Sequence, residues 1–154
     1  FDEAEALFRE ALERQTQAFG AEHPTTLGTQ IAFAQLRNLQ GRYTEALALL
    51  EPIDSAMRRL AAARSTSSLP IFLVRRGRAM TGVATSNEAR SAAETILTEA
   101  WQVLEQMQGT TGREAKACAQ AFVDLYRAWA AADAAGAYAS RAAEWQARYD
   151  AMGK

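Results

Sequence analysis

The sequence predicts an all-α protein built from stacked antiparallel helix pairs, and three observations carry that prediction. Apolar residues recur at helical spacing along nearly the whole chain, and no alternating run marks a strand. The nine glycines and three prolines fall mostly between those apolar stripes, where helices end and turn. A short pattern also repeats: Phe1 to Leu12 lines up with Tyr43 to Asp54, aromatic, Glu-Ala and aliphatic positions coinciding, and Ala93 to Trp101 forms a third copy. Repeats at such spacing mark an array in which each unit buries its apolar face on a neighbour.

Seven helices are expected. The first spans about Asp2 to Phe19, with Ala4, Leu7, Phe8, Ala11, Leu12 and Gln15 on its inner face and Gly20 ending it. Gly20 to Thr26 is a turn in which His23 is a loop or capping residue and Pro24 suits the first turn of the next helix. That helix runs to Gln40, its stripe marked by Leu27, Ile31 and Ala34, and Gly41 breaks it. A third stripe, Tyr43, Ala46, Leu47, Leu50 and Ile53, continues through Met57 and Leu60 towards Arg64, with a kink expected at Pro52. Ser65 to Ser68 is a polar linker, Ser68 a candidate N-cap before Pro70. In the following helix, Ile71 to Met80, Gly77 reads as a glycine that lets a neighbour approach closely. Thr85 with Glu88, and Thr111 with Glu114, have capping-box spacing and open the fifth and sixth helices. After the alanine-rich stretch from Ala130 to Gly136, a last helix covers about Tyr138 to Ala151, with Trp145 packing over the end. The units then fall at about 1–20, 25–64, 68–109 and 112–151. Because Phe1 opens in the middle of such a unit and is not a methionine, the sequence is expected to be a piece of a longer chain.

Charge is unevenly distributed behind a net of −1. Phe1 to Asp54 holds nine acids against four arginines, whereas Ser55 to Asn87 holds six arginines and no acid: Arg58, Arg59, Arg64, Arg75, Arg76 and Arg78. Two readings of this basic band stand open. It is a solvated face paired with flanking carboxylates, or it attracts an acidic peptide. Nucleic acid is not expected, since no aromatics interleave the arginines and the sequence pI is about 5.9.

Most chemistry is excluded. No glycine-rich phosphate loop is present, and Gly77 and Gly82 are followed by no lysine. One histidine and one cysteine, Cys118, leave too few soft ligands for a structural zinc site and no assembled nucleophile. Cys118 sits among alanines and reads as a small core residue. No catalytic residue, metal or cofactor is therefore expected. The longest uncharged run is too short and polar to cross a bilayer, so no membrane contact is expected of this segment.

The helix pairs resemble tetratricopeptide repeats, in the variety with units of about 42 residues found in kinesin light chains. The resemblance rests on Thr26-Leu27, Phe33-Ala34, Gln40-Gly41-Arg42-Tyr43, Glu45-Ala46 and the Gly20…His23-Pro24 turn. The second half, from Arg113-Glu114-Ala115 to Trp129 and from Ala142-Ala143-Glu144-Trp145 to Tyr149, is similar to the C-terminal ends of bacterial serine/threonine protein kinases that carry such repeats. The resemblance implies a right-handed superhelix and a non-catalytic module that holds a peptide or partner protein in its concave groove. It places Ile31, Gln35 and Asn38, then Val74, Arg78 and Thr81, then Gln120, Asp124 and Arg127 on the groove wall. Arg78 would either meet an acidic side chain or pair internally with Asp124. The other reading is a structural one, in which the terminal helices dock further repeats or self-associate. A cytoplasmic location is implied, or an extracytoplasmic one if a membrane span precedes the segment.

Overall fold

In the computed structural model, which describes residues 2–64, 67–107 and 112–153, the chain is a succession of helices. They are α1 (Asp2–Phe19), α2 (Pro24–Leu39), α3 (Tyr43–Leu50), α4 (Asp54–Ala62), α5 (Leu69–Val83), α6 (Asn87–Gln106), α7 (Arg113–Ala132) and α8 (Tyr138–Ala151). A 3-10 turn, Glu51–Ile53, joins α3 to α4. Taken as one interrupted arm, α3 and α4 reduce the count to seven among the described residues. The fold is all-α and tetratricopeptide-like.

Local chemistry sets the helix ends. Gly20 and Gly41 adopt φ of +91° and +72°, a region that an L side chain resists. Beyond Gly41 the amide of Arg42 donates to the carbonyl of Arg37 at 2.9 Å, closing the turn between α2 and α3. His23 caps α2: its Nδ1 accepts the amide of Thr25 at 3.2 Å, and its ring stacks on Phe19. Two expectations need correction. Ser86, not Thr85, caps α6, its hydroxyl accepting the amide of Ala89 at 3.2 Å; the shift of one residue follows from which backbone is extended there (Ser86 φ −121°, ψ 165°). Thr111 lies outside the described residues, and Gly112 stands at the start of α7. Pro52 produces the 3-10 turn where a kink was expected, because proline has no N–H to continue the α pattern.

The packing order explains the core. Each of α2, α5 and α7 is the first helix of a pair, followed by α3–α4, α6 and α8 respectively. The next first helix lies in the groove between both members of the preceding pair, so α5 packs on α2 and α3, and α7 on α5 and α6. Leu27, Ile31, Leu50, Phe72, Leu73, Leu97, Phe122 and Leu125 fill the interior continuously. Small residues permit the close approaches. A Cβ on Gly77 would lie 2.4 Å from a methyl of Leu97, which is why α5 carries glycine where α6 crosses it. Cys118 is buried, as expected of a core residue, and burial pushes its thiol up to about 12. Trp145 packs on Phe122 with ring centroids 3.9 Å apart and meets Trp101 edge-on at 4.9 Å.

The first helix is attached differently. None of its residues is fully buried, and Leu7 is 60% exposed. It is held to α2 by a stack of Phe8 on Phe33, centroids 5.3 Å apart, and by Glu5. The Glu5 carboxylate takes donors from Arg37, which is buried, from Gln40 at 3.2 Å and from Arg42 at 2.6 Å. Those donors, Arg37 first, hold its carboxyl at about 2, well below the usual carboxylate range.

Candidate functional site

Three helices, α2, α5 and α7, stand side by side and form one wall. The residues expected to face outward from it divide. Ile31 and Val74 are core residues, at 4% and 0% exposure, and Asn38 is buried between α2 and α5, its amide donating to the carbonyl of Arg75 at 2.9 Å. These three do not present side chains to a groove, which corrects that part of the expectation. The physical reason is helical phase: one residue along a helix is about 100° around it. On α2 the open stripe is Gly28, Ala32, Gln35 and Leu39, so only Gln35 of its expected trio keeps partial exposure, while its Oε1 is buried without a partner. On α5 the stripe is Ile71, Arg75, Arg78 and Gly82, with Thr81 beside it. On α7, Gln120 and Asp124 are half-exposed and joined by a 2.9 Å hydrogen bond from the amide to the carboxylate. Arg127 is exposed but donates to Gln146 of α8 at 3.2 Å, which turns it towards α8.

Between α3, α5 and α7 the wall opens into a hollow of about 410 Å³. Tyr43, Arg78, Thr81, Gly82, Asp124 and Ala128 are among its lining residues. Gly82 lets the ring of Tyr43 close against α5 at one side of the hollow, since a Cβ there would sit 2.2 Å from that ring. Thr81 is oriented by donating its hydroxyl to the carbonyl of Gly77 at 2.9 Å. Arg78 and Asp124 both line the hollow, yet they form no ion pair with each other. The internal bridge between them, one of the two expected roles of Arg78, is not formed, and among the described residues Asp124 receives only the Gln120 amide.

The basic band is largely tied down. Arg58 reaches Asp54 at 3.0 Å and also Glu99, Arg76 reaches Asp54 at 2.7 Å, and Arg59 reaches Glu22 at 2.6 Å. Arg75 lies 3.8 Å from Glu114; burial lowers its pKa, Glu114 opposes that, and the neighbouring Arg78 cation adds to it. Among the described residues, Arg64 and Arg78 of this band make no ion pair. Arg64 ends α4 in a left-handed conformation, φ +54°, at the rim of a larger cleft of about 960 Å³ walled mostly by apolar groups such as Leu69, Val103 and Met107. Arg64 is the one charged group on its described walls that makes no ion pair, whereas the smaller hollow is lined by a cation and an anion, Arg78 and Asp124, neither of which makes an ion pair among the described residues.

The sequence reading missed Tyr43, Gly82 and Ala128 as lining residues. A glycine one turn beyond Arg78 was the available signal for Gly82. Nothing in one sequence marks Tyr43, whose ring reaches across from a different unit. Among the described residues, no group of three or more His, Cys, Asp or Glu side chains is placed to hold a metal ion. No helix of the described residues is long and apolar enough to cross a membrane.

Residues 1–51 match the family model of the tetratricopeptide repeat, a stretch that takes in α1, α2 and α3 and ends at the first residue of the turn beyond. The match supports a tetratricopeptide repeat domain, whose general role is that of a protein-interaction scaffold. No curated protein and no solved structure matches the chain.

Proposed function

We propose that the chain is a non-catalytic interaction module that holds a peptide or partner protein against the wall of α2, α5 and α7. One observation carries this reading above others: on that wall Arg78 and Asp124 line an open hollow without pairing to each other. Charged groups left unpaired in a recess are stabilised by a visitor that supplies their partners. The partner is acidic where it meets Arg78. The similarity of the second half to the repeat-bearing ends of bacterial serine/threonine kinases supports a place as the recruiting or regulatory region of such an enzyme, working in the cytoplasm.

The test is a photo-crosslinking residue placed at Gln120, on the wall, or at Glu144, on the exposed side of α8, with the chain used as bait in extract of its source cells. A protein crosslinked from position 120 and not from 144 is the expected result. Adducts from 144 alone would place the partner elsewhere and overturn the reading. A second reading, docking onto further repeats or self-association, is favoured by α1, which buries no residue fully and leaves Leu7 open. Sedimentation over a hundredfold range of concentration distinguishes it, since self-association raises the mass and groove binding does not.

A further inference from the structure

Of the six arginines in the band, four are bound to carboxylates of the chain itself, so the band as a whole is not a sheet of free positive charge. Arg64 sits on an exposed helix end, where a single cation in water attracts little. Arg78 differs. It is half-buried, flanked by the Arg75 cation on the same face of α5, and opens into a recess with an aromatic wall. Across that recess Asp124 keeps acceptor capacity beyond the one hydrogen bond from Gln120. A purely acidic visitor would be repelled by Asp124, and a purely basic one by Arg75 and Arg78. The visitor that satisfies both brings a carboxylate together with an N–H donor.

We infer that the hollow between Arg78 and Asp124 seats one Asp or Glu residue of the partner segment, the side-chain carboxylate on the Arg78 guanidinium and a backbone N–H of the same residue or its neighbour on the Asp124 carboxylate. The inference rests on the proposed groove-binding role and narrows it from an acidic surface to a single residue-sized pocket. A guanidinium and a carboxylate meet through two parallel hydrogen bonds, which fix orientation as well as charge. The ring of Tyr43, lying against Gly82, forms the apolar wall for the methylene groups. Thr81 Oγ1, whose proton is committed to Gly77, offers a further acceptor for an N–H.

The probe is N-acetylglutamate N-methylamide, which carries the carboxylate and both flanking amide N–H groups, with N-acetylglutamine N-methylamide as its neutral counterpart. Each is titrated into the labelled chain and followed by two-dimensional NMR. The expected result is saturable shifting, at millimolar ligand, of the amides around Arg78, Gly82, Ala121 and Asp124, at least tenfold weaker with the glutamine compound and in Arg78→Gln. An Arg64→Gln chain retains the response. Saturation by both compounds alike, persistence in Arg78→Gln, or no saturable shift in the native chain overturns the inference. An unchanged spectrum of free Arg78→Gln elsewhere shows that the variant folds; if it does not fold, Arg78→Lys, which keeps the charge but not the fork, is expected to bind measurably more weakly. The groove reading is judged separately: a partner crosslinked from position 120 with equal yield in Arg78→Gln removes the pocket and leaves the groove, a crosslink lost in Arg78→Gln supports both, and no crosslink from position 120 in the otherwise native chain removes both.

Discussion

The side chain of Leu97 occupies the space that a Cβ on Gly77 would need, its methyl standing 2.4 Å from that position. The two residues therefore fix how closely α6 lies on α5. Leu97 is fully buried and has nowhere to retreat. Gly77→Ala should lose about 1–3 kcal/mol to overpacking and regain up to about 1 kcal/mol from helix propensity. The net expectation is a loss of about 1–2 kcal/mol, read as a lower urea midpoint with an unchanged slope. A gain in stability would mean that α6 can shift freely.

Stability at the Glu5 latch should depend on acid. The folded carboxyl titrates at about 2, below its ordinary value of 4.5, so its contribution is present above pH 4.5 and fades as pH falls towards 2. Protection factors of α1 amides, which take out the intrinsic pH dependence of exchange, are expected to fall over that window ahead of those in α5 and α7. In Glu5→Gln the lowered protection should already be present at pH 7 and change little with acid.

Trp145→Ala removes the stack on Phe122 and the edge contact with Trp101. For a half-buried tryptophan the loss should be about 2–4 kcal/mol, below the upper range for a fully buried one. Chemical denaturation measures it, and Trp145→Phe, which keeps a ring over Phe122, should recover more than half.

Cys118 should be inert in the folded chain. Its thiol is buried and its pKa is pushed up to about 12, so little thiolate forms at pH 8. Iodoacetamide is expected to label it only when denaturant is added. Rapid labelling of the native chain would show that α6 and α7 separate readily.

The helices and most of their ends were legible in the sequence because their causes are local. Gly20, Gly41 and Pro24 act on their own backbone, and His23 caps through a neighbour two residues away. The site was only partly legible because its causes are not local. Family register put Gln35, Arg78, Thr81, Gln120 and Asp124 near the wall surface, but it also put Ile31, Asn38 and Val74 there, and these are enclosed by helices from adjacent units. The pairing of Arg58 with Glu99, 41 residues on, or of Arg37 with Glu5, depends on how units stack. Composition showed a block of arginines; only three-dimensional packing showed that most of them already have anions.

The 3-10 turn at Glu51–Ile53 has an effect on aim. Three residues wound at three per turn advance about 60° further around the axis than three residues of α-helix. The apolar edge that leaves α3 facing both α2 and α5 therefore re-emerges on α4 turned towards α5, and Asp54, the first residue past the turn, holds Arg58 and Arg76 on two different helices. The proline thus works as a gear tooth inside one unit, resetting the rotational phase between α3 and α4 so that a single carboxylate can tie α4 to α5.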